Sequence, residues 1–254
     1  MAEPLTVLQL TDTHLHATRE SRMRGVRTYE TYSAILEAAL QQGPSDPDAI
    51  VVTGDVVQDE SRAGYEQFRA SLEHCGVPVL VTSGNHDDPL MMSEVLSSQP
   101  FQVDRSIRLA QWSLIAVSTH LLGEDAGGLG PRRLESLKRA ITEHRDQHVL
   151  ICMHHHPLPM GSRWLDAVAL RDADEFLRLV DTFDNVRAVT CGHVHQASER
   201  DRNGVTYFST PSTCSQFLPN SEGFALDDKP PGCRWFELHA DGQFESQIQW
   251  LESK

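Results

Sequence analysis

The sequence predicts an α/β fold in which two packed β-sheets are flanked by helices. Three observations lead there. Five short apolar runs rich in Val, Ile and Leu recur along the 254 residues, with the length and β-branched content of buried strands. Amphipathic helical patterns lie between them, and that alternation is the mark of an α/β architecture. Two further stretches read as antiparallel strands, so a second, mostly antiparallel sheet is expected against the first.

In chain order, "LTVLQL" (5–10) is the first strand. Over 28–42, Tyr32, Ile35, Leu36, Ala39 and Leu40 share one helical stripe, and Gly43 offers a left-handed stop. "DAIVVT" (48–53) is the second strand, followed over 60–75 by a helix carrying Tyr65, Phe68 and Leu72 before Gly76. "VPVLVT" (77–82) is the third, and "SIRLAQWSLIAVST" (106–119) reads as a strand pair. A helix over 131–146 has Pro131 placed in its first turn. "HVLICM" (148–153) and "VRAVTC" (186–191) are the fourth and fifth strands, on either side of a helix over 170–183. "GVTYFST" and "CRWFELHADGQFESQIQWL" complete the strands, with a turn at Asp241-Gly242. The Pro- and Gly-punctuated segment 215–232 reads as a long loop that covers the site. No internal repeat divides the chain, so residues 1–254 are expected to form one domain.

Composition narrows the function. A formal charge of −14 argues against a protein that grips long polyanions, whose contacts are mostly Lys and Arg with phosphate. A small anionic substrate stays open, provided that something local, such as bound metal, supplies positive charge. Five cysteines without regular spacing, three of them in or beside apolar runs, read as buried thiols of a reducing compartment. "MAEPLTVLQL" lacks the pattern of a secretory leader, and no run approaches the roughly 20 apolar residues of a membrane span. A soluble cytoplasmic protein without membrane or nucleic-acid partners is expected.

The residues just after each apolar run carry the chemistry. After the first comes "TDTH", with Asp12 and His14; after the second "GDVVQD", with Asp55; after the third "GNHDD", with Asn85 and His86. After the fourth come His154, His155 and His156, and after the fifth "GHVH", with His193 and His195. Ligand sites in α/β folds assemble at the C-terminal ends of strands. In an extended backbone, residues two apart share a side, so Asp12 with His14, and His193 with His195, would each aim a pair at one place. The same period leaves open whether His154 with His156, or His155, faces the site. Gly54, Gly84 and Gly192 precede ligands and permit tight turns and close approach. Carboxylate, amide and imidazole without thiolate suit iron, manganese or zinc, and donors in excess of one ion's needs imply two ions sharing a carboxylate.

The ordered set D-x-H, GD, GNHD, H and GHxH between residues 11 and 195 resembles the calcineurin-like metallophosphoesterase superfamily. "LTDTHLHA", "TGDVVQDES", "MHHHPLPMGSRWLD", "CGHVHQ" and "STPSTCSQF" further resemble the bacterial class III 3′,5′-cyclic AMP phosphodiesterases. The resemblance implies a four-layer αββα sandwich and a hydrolase with two divalent metal ions, Fe and/or Mn. One ion would be held by Asp12, His14, Asp55 and His195. The other would be held by Asp55, Asn85, His154 and His193, with Asp55 shared. His86 would be the catalytic residue, facing the substrate phosphate, and His14, Asp55, Asn85, His86 and His195 would surround the substrate. The implied reaction is conversion of cyclic AMP to AMP, and a homodimer is one expected assembly. The alternatives are a glycerophosphodiesterase, a nucleotide pyrophosphohydrolase, a general phosphomonoesterase or a non-catalytic scaffold of the same fold. Around this set, Asp87 and Asp88 read as loop or helix-capping groups, and Asp59 as a candidate to orient His86. His16 and His120 read as neighbours of the site, and His155 as a support to it. His156 reads as shaping the loop, Arg27 as a candidate lining of the nucleotide pocket, and Trp164, Leu165 and Asp166 as an insertion that shapes it.

Overall fold

The computed structural model describes residues 3–252. Its principal strands are β1 (Leu5–Leu10), β2 (Ala49–Thr53), β3 (Val79–Thr82), β4 (Phe101–Val103), β5 (Ser106–Leu109), β6 (Trp112–Ala116), β7 (His148–Cys152), β8 (Val186–Cys191), β9 (Ser198–Arg202), β10 (Val205–Ser209), β11 (Gly232–Leu238) and β12 (Phe244–Trp250). The helices are α1 (Thr28–Gln42), α2 (Arg62–Leu72), α3 (Pro89–Val95), α4 (Gly130–Glu143), α5 (Arg163–Asp166) and α6 (Ala173–Val180).

Two six-stranded sheets result, in the orders β12-β11-β1-β2-β3-β4 and β9-β10-β8-β7-β6-β5. In the first, β1 to β4 run parallel, β11 pairs antiparallel with β1, and β12 pairs antiparallel with β11 at the edge. In the second, β6, β7, β8 and β10 run parallel, with β5 and β9 antiparallel at the edges. The expectation of one parallel and one mostly antiparallel sheet is therefore corrected. Both sheets are mixed, and the five apolar runs divide three to two between them. The runs do not say which sheet they enter, because a strand buried on both faces reads as continuous apolar residues in either.

Side-chain alternation builds the layers. Leu8 and Leu10 of β1 join Ile50, Val52, Val79 and Val81 beneath the first sheet's helices, meeting Tyr32, Ile35, Tyr65 and Phe68. Val7 of the same strand points the other way, into a layer between the sheets with Val51, Leu80, Trp112, Leu150 and Phe236. On the far side, Val149, Ile151 and Val189 pack with Leu137 and Ile141 of α4 and Phe176 and Val180 of α6. The order is helix, sheet, sheet, helix.

The helix over 28–42 has its expected bounds, but Gly43 does not end it in a left-handed turn: its φ is −66°. A side chain there would lie 2.4 Å from Trp235, so the glycine lets the chain pass the indole. The helix expected over 170–183 is shorter, spanning Ala173–Val180. Asp172 turns its carboxylate away from it and accepts from the N–H groups of Leu129 and Gly130 at the start of α4. The β5–β6 pair and the turn at Asp241-Gly242 stand where the sequence puts them, Gly242 having φ +87°. All five cysteines are free, and four are buried. No helix among the described residues is long and apolar enough to cross a membrane.

Candidate metal centre

The loops after β1, β2 and β3 of one sheet and after β7 and β8 of the other meet at one edge of the sandwich. They are laced together through the backbone. Asp12 and His14 donate their N–H groups to Gly54 and Asp55 carbonyls at 3.0 and 2.9 Å, and Gly192 donates to the carbonyl of His154 at 3.1 Å. The side pairs are not aimed by strand pleating, as the sequence period suggests. Asp12, His14, Asp55, His193 and His195 all have left-handed backbone, with φ of 51°, 45°, 49°, 66° and 47°. Non-glycine residues seldom adopt that region, and holding several there needs surrounding structure to enforce it. Alternation of left-handed and ordinary residues turns Asp12 with His14, and His193 with His195, toward a common centre.

Two donor sets form around that centre. In the first, His195 Nε2 lies 3.3 Å from Asp12 Oδ1 and 3.2 Å from His14 Nε2. His14 Nε2 is 4.0 Å from Asp12 Oδ1 and 3.8 Å from Asp55 Oδ2. In the second, His154 Nε2 lies 3.4 Å from the same Asp55 Oδ2, 3.1 Å from Asn85 Oδ1 and 3.2 Å from His193 Nδ1. The structure thus brings together all seven residues that the family resemblance implies as ligands, with Asp55 common to both sets. Imidazole nitrogens facing one another beside carboxylate oxygens are lone pairs converging on small spaces, an arrangement that a cation relieves.

Hydrogen bonds fix which nitrogen faces inward. His154 donates from Nδ1 to the Thr53 carbonyl at 2.7 Å, and His195 from Nδ1 to the Ser215 carbonyl at 2.7 Å. Each ring then offers Nε2. Phe217 stacks on His195 at 4.0 Å and 7°, holding the plane of that ring. Asp12 accepts from Thr11 Oγ1 at 2.7 Å and from the backbone N–H of His193. Gly54 takes φ +92°, and a side chain there would lie 2.5 Å from His154 Nδ1.

Burial and neighbouring charge set the protonation of these donors. Burial would raise the Asp55 carboxyl, but the charges of His154 and His86 outweigh it and hold it well below the carboxylate range. Asp12 is likewise lowered against burial, chiefly by His195. Burial would lower His154, yet Asp55 prevails and lifts it to about 9. Burial drives His14 down to about 3, and His193 well below the imidazole range. The carboxylates therefore borrow a proton on His154 as a counter-charge, while His14 and His193 stay neutral, as ligands must. The residues fit divalent ions.

The neighbours sort differently from the sequence reading in several places. His86 borders the same cavity, its N–H donating to Asp55 Oδ1 at 2.9 Å. Asp59 does not orient His86; it accepts from the N–H groups of Ala17 and Ser61. Gln58 takes that place, its Nε2 lying 3.1 Å from His86 Nδ1. Asp88 caps α3, while Asp87 is a buried brace accepting from the N–H groups of Val56, Val57 and Gly84 and from the Tyr65 hydroxyl. Burial and nearby Asp55 push the Asp87 carboxyl up to about 7.

His120 lies 2.9 Å from the Gly84 carbonyl, and His16 contacts Thr28 outside the donor sets. His155 is wedged between Thr119 and the Asp125 carbonyl with its ring against His154 and His193. His156 is buried, 3.7 Å from Asp166, with its ring parallel to that of His193. Arg27 does not line the cavity; it is exposed and paired with Glu30. Cys214, which the sequence reading counts only among the buried thiols, has its sulfur within 4.8 Å of nitrogens of His14 and His195. Burial pushes that thiol up to about 11, so it stays protonated and is a poor ligand.

The cavity over these residues is about 340 Å³, bordered by His14, Asp55, Asn85, His86, His193 and His195 on one side. A larger cleft of about 610 Å³ opens between β6 and α4, but no convergent donor set among the described residues faces it.

Residues 5–197 match the calcineurin-like phosphoesterase family. The chain is 38% identical over 246 residues to the 3′,5′-cyclic adenosine monophosphate phosphodiesterase CpdA of Escherichia coli (strain K12), covering 96% of this chain and 89% of that protein. It is 37% identical over 250 residues to the enzyme of the same name from Vibrio vulnificus (strain CMCP6), covering 98% and 91%. In fold it resembles a dimetal phosphatase from Danio rerio, with a TM-score of 0.64 at 14% identity over 99% of this chain and 100% of that one. Sequence match and layered architecture agree: the chain belongs to the calcineurin-like phosphoesterase family.

Proposed function

We propose that this protein is a metal-dependent phosphodiesterase that hydrolyses 3′,5′-cyclic AMP to AMP. One observation carries the reading: two convergent donor sets share Asp55 at the floor of a nucleotide-sized cavity, in a chain 38% identical to a cyclic AMP phosphodiesterase. Asp12, His14, Asp55 and His195 would hold one ion, and Asp55, Asn85, His154 and His193 the other. Oxygen and imidazole donors without thiolate suit iron, manganese or zinc, and the family resemblance points to iron and manganese among them. When bound, two divalent ions supply the positive charge that polarises a phosphoryl oxygen and lowers the pKa of a water.

The chain's own groups do the rest. Two aspartates against two divalent ions leave a net positive floor, which answers how a chain of charge −14 attracts a phosphodiester. Asn85 and the imidazoles are neutral and do not cancel that charge. The backbone bond to Asp55 fixes His86 beside the site, and the Gln58 amide donates to His86 Nδ1. With Nδ1 accepting, the ring's N–H is at Nε2. His86 offers it as a hydrogen-bond donor that stabilises charge developing on the phosphoryl group and the 3′-oxygen as the P–O bond breaks. Five free thiols fit a reducing compartment, and we place the enzyme in the cytoplasm.

The test is a substrate panel on metal-loaded protein: cyclic AMP, cyclic GMP, 2′,3′-cyclic nucleotides, a glycerophosphodiester and a monoester. Cyclic AMP should be turned over well, chelation should abolish turnover reversibly, and His86→Ala should lower kcat about 100-fold or more. Poor activity on cyclic AMP beside strong turnover of another diester would retire the assignment.

A further inference from the structure

The cavity has two unlike ends. One is the donor set; the other is walled by Met23, Arg24, Trp164, Leu165 and Phe217. Trp164 and Phe217 meet edge to face at 5.0 Å, and Phe224 completes a triangle at 5.3 Å from Trp164 and 5.6 Å from Phe217. Arg24 lies over this group, its guanidinium carbon 3.9 Å from the Phe224 ring centre and 5.9 Å from that of Phe217. Arg24 stands at the tip of the hairpin Arg22–Met23/Val26–Arg27, with φ +51°. The roof of the cavity is thus made by three segments far apart in sequence, with Arg24 of one joined as a cation to the aromatic face of another. Phe224 is nonetheless 47% exposed. These rings stand apart from the three large core clusters: Phe217 and Leu165 join Met160 and Val194 in a small cluster of their own, with Trp164 packed against it.

We propose that this wall receives the nucleobase of the cyclic nucleotide and that Arg24 sets the affinity for it. The inference rests on the phosphodiesterase reading above and assigns the other half of the same substrate. A cyclic nucleotide carries an anionic diester at one end and a planar π-system at the other. The cavity matches that polarity, with cation ligands at the floor and aromatic rings at the mouth. Bases stack on aromatic side chains whatever their edge pattern. A guanidinium adds a flat surface and donors suited to the ring nitrogens and carbonyls of a base. Arg27, a few residues on, is turned to Glu30 and cannot contribute.

The discriminating probe is a base-free substrate, methyl riboside 3′,5′-cyclic phosphate, compared with cyclic AMP on the metal-loaded enzyme. Wild-type turnover of cyclic AMP tests the phosphodiesterase reading by itself. Given that turnover, Arg24→Ala should raise KM for cyclic AMP about five- to tenfold with kcat within twofold, and leave kcat/KM for the base-free diester unchanged. Trp164→Ala, which removes an aromatic face from the wall, should raise KM for cyclic AMP in the same direction. Equal losses on the two substrates would assign Arg24 to the phosphate and overturn the inference, as would an unchanged KM for cyclic AMP.

Discussion

At the residue scale, the proposed donors differ from the groups that position them. Gln58 is the clearest positioning residue, because it touches His86 and none of the donor sets. Gln58→Ala should lower kcat about tenfold, roughly 1.4 kcal/mol of transition-state stabilisation. It should also shift the pH–rate profile while leaving metal content as in the wild type; loss of metal instead would show a structural role. Gln58 is illegible in the sequence, where a carboxylate such as Asp59 is the more familiar partner for a histidine. Only the path of the loop after β2 turns one toward His86 and the other toward the N–H groups of Ala17 and Ser61. The histidine triplet shows the same limit. Spacing leaves the three open, family resemblance selects His154, and the geometry places its Nε2 in the second donor set while His155 and His156 lie behind it.

At the element scale, the strands and helices are readable because each buries a contiguous face, and the periodicity of burial is local information. Sheet membership is not readable, since it depends on pairings between strands far apart in sequence. The convergence of the donors belongs to this scale as well: alternating left-handed residues are invisible in sequence, but the glycines beside them are not. Gly84 is packed so that an added Cβ would lie 2.1 Å from Asp55 Oδ1 and 2.4 Å from its backbone N. Backbone cannot yield as a side chain can. Gly84→Ala should therefore fold, with Tm lowered by several degrees as expected for a destabilisation of about 1–3 kcal/mol. It should also lose metal affinity and at least about 100-fold in turnover. Gly223→Ala, where a Cβ meets open space, should match the wild type in both. Wild-type metal affinity in the Gly84 variant would mean that the Asp55 loop is more compliant than its packing indicates.

At the scale of the whole molecule, two sheets are pressed together so that loops from both reach one edge, and neither sheet alone carries a complete donor set. Asp12, His14, Asp55 and Asn85 come from the first, and His154, His193 and His195 from the second. The division explains why the site needs the full αββα stack, and why Asp55, beside the seam, contributes to both sets. The measurement closest to this account is metal content per chain, by inductively coupled plasma mass spectrometry, for wild type, Asn85→Ala and Asp55→Ala. The shared-carboxylate arrangement predicts about two ions in the wild type, about one in Asn85→Ala, and fewer than one in Asp55→Ala. Two ions retained without Asp55, or a wild type that saturates at one, would contradict it.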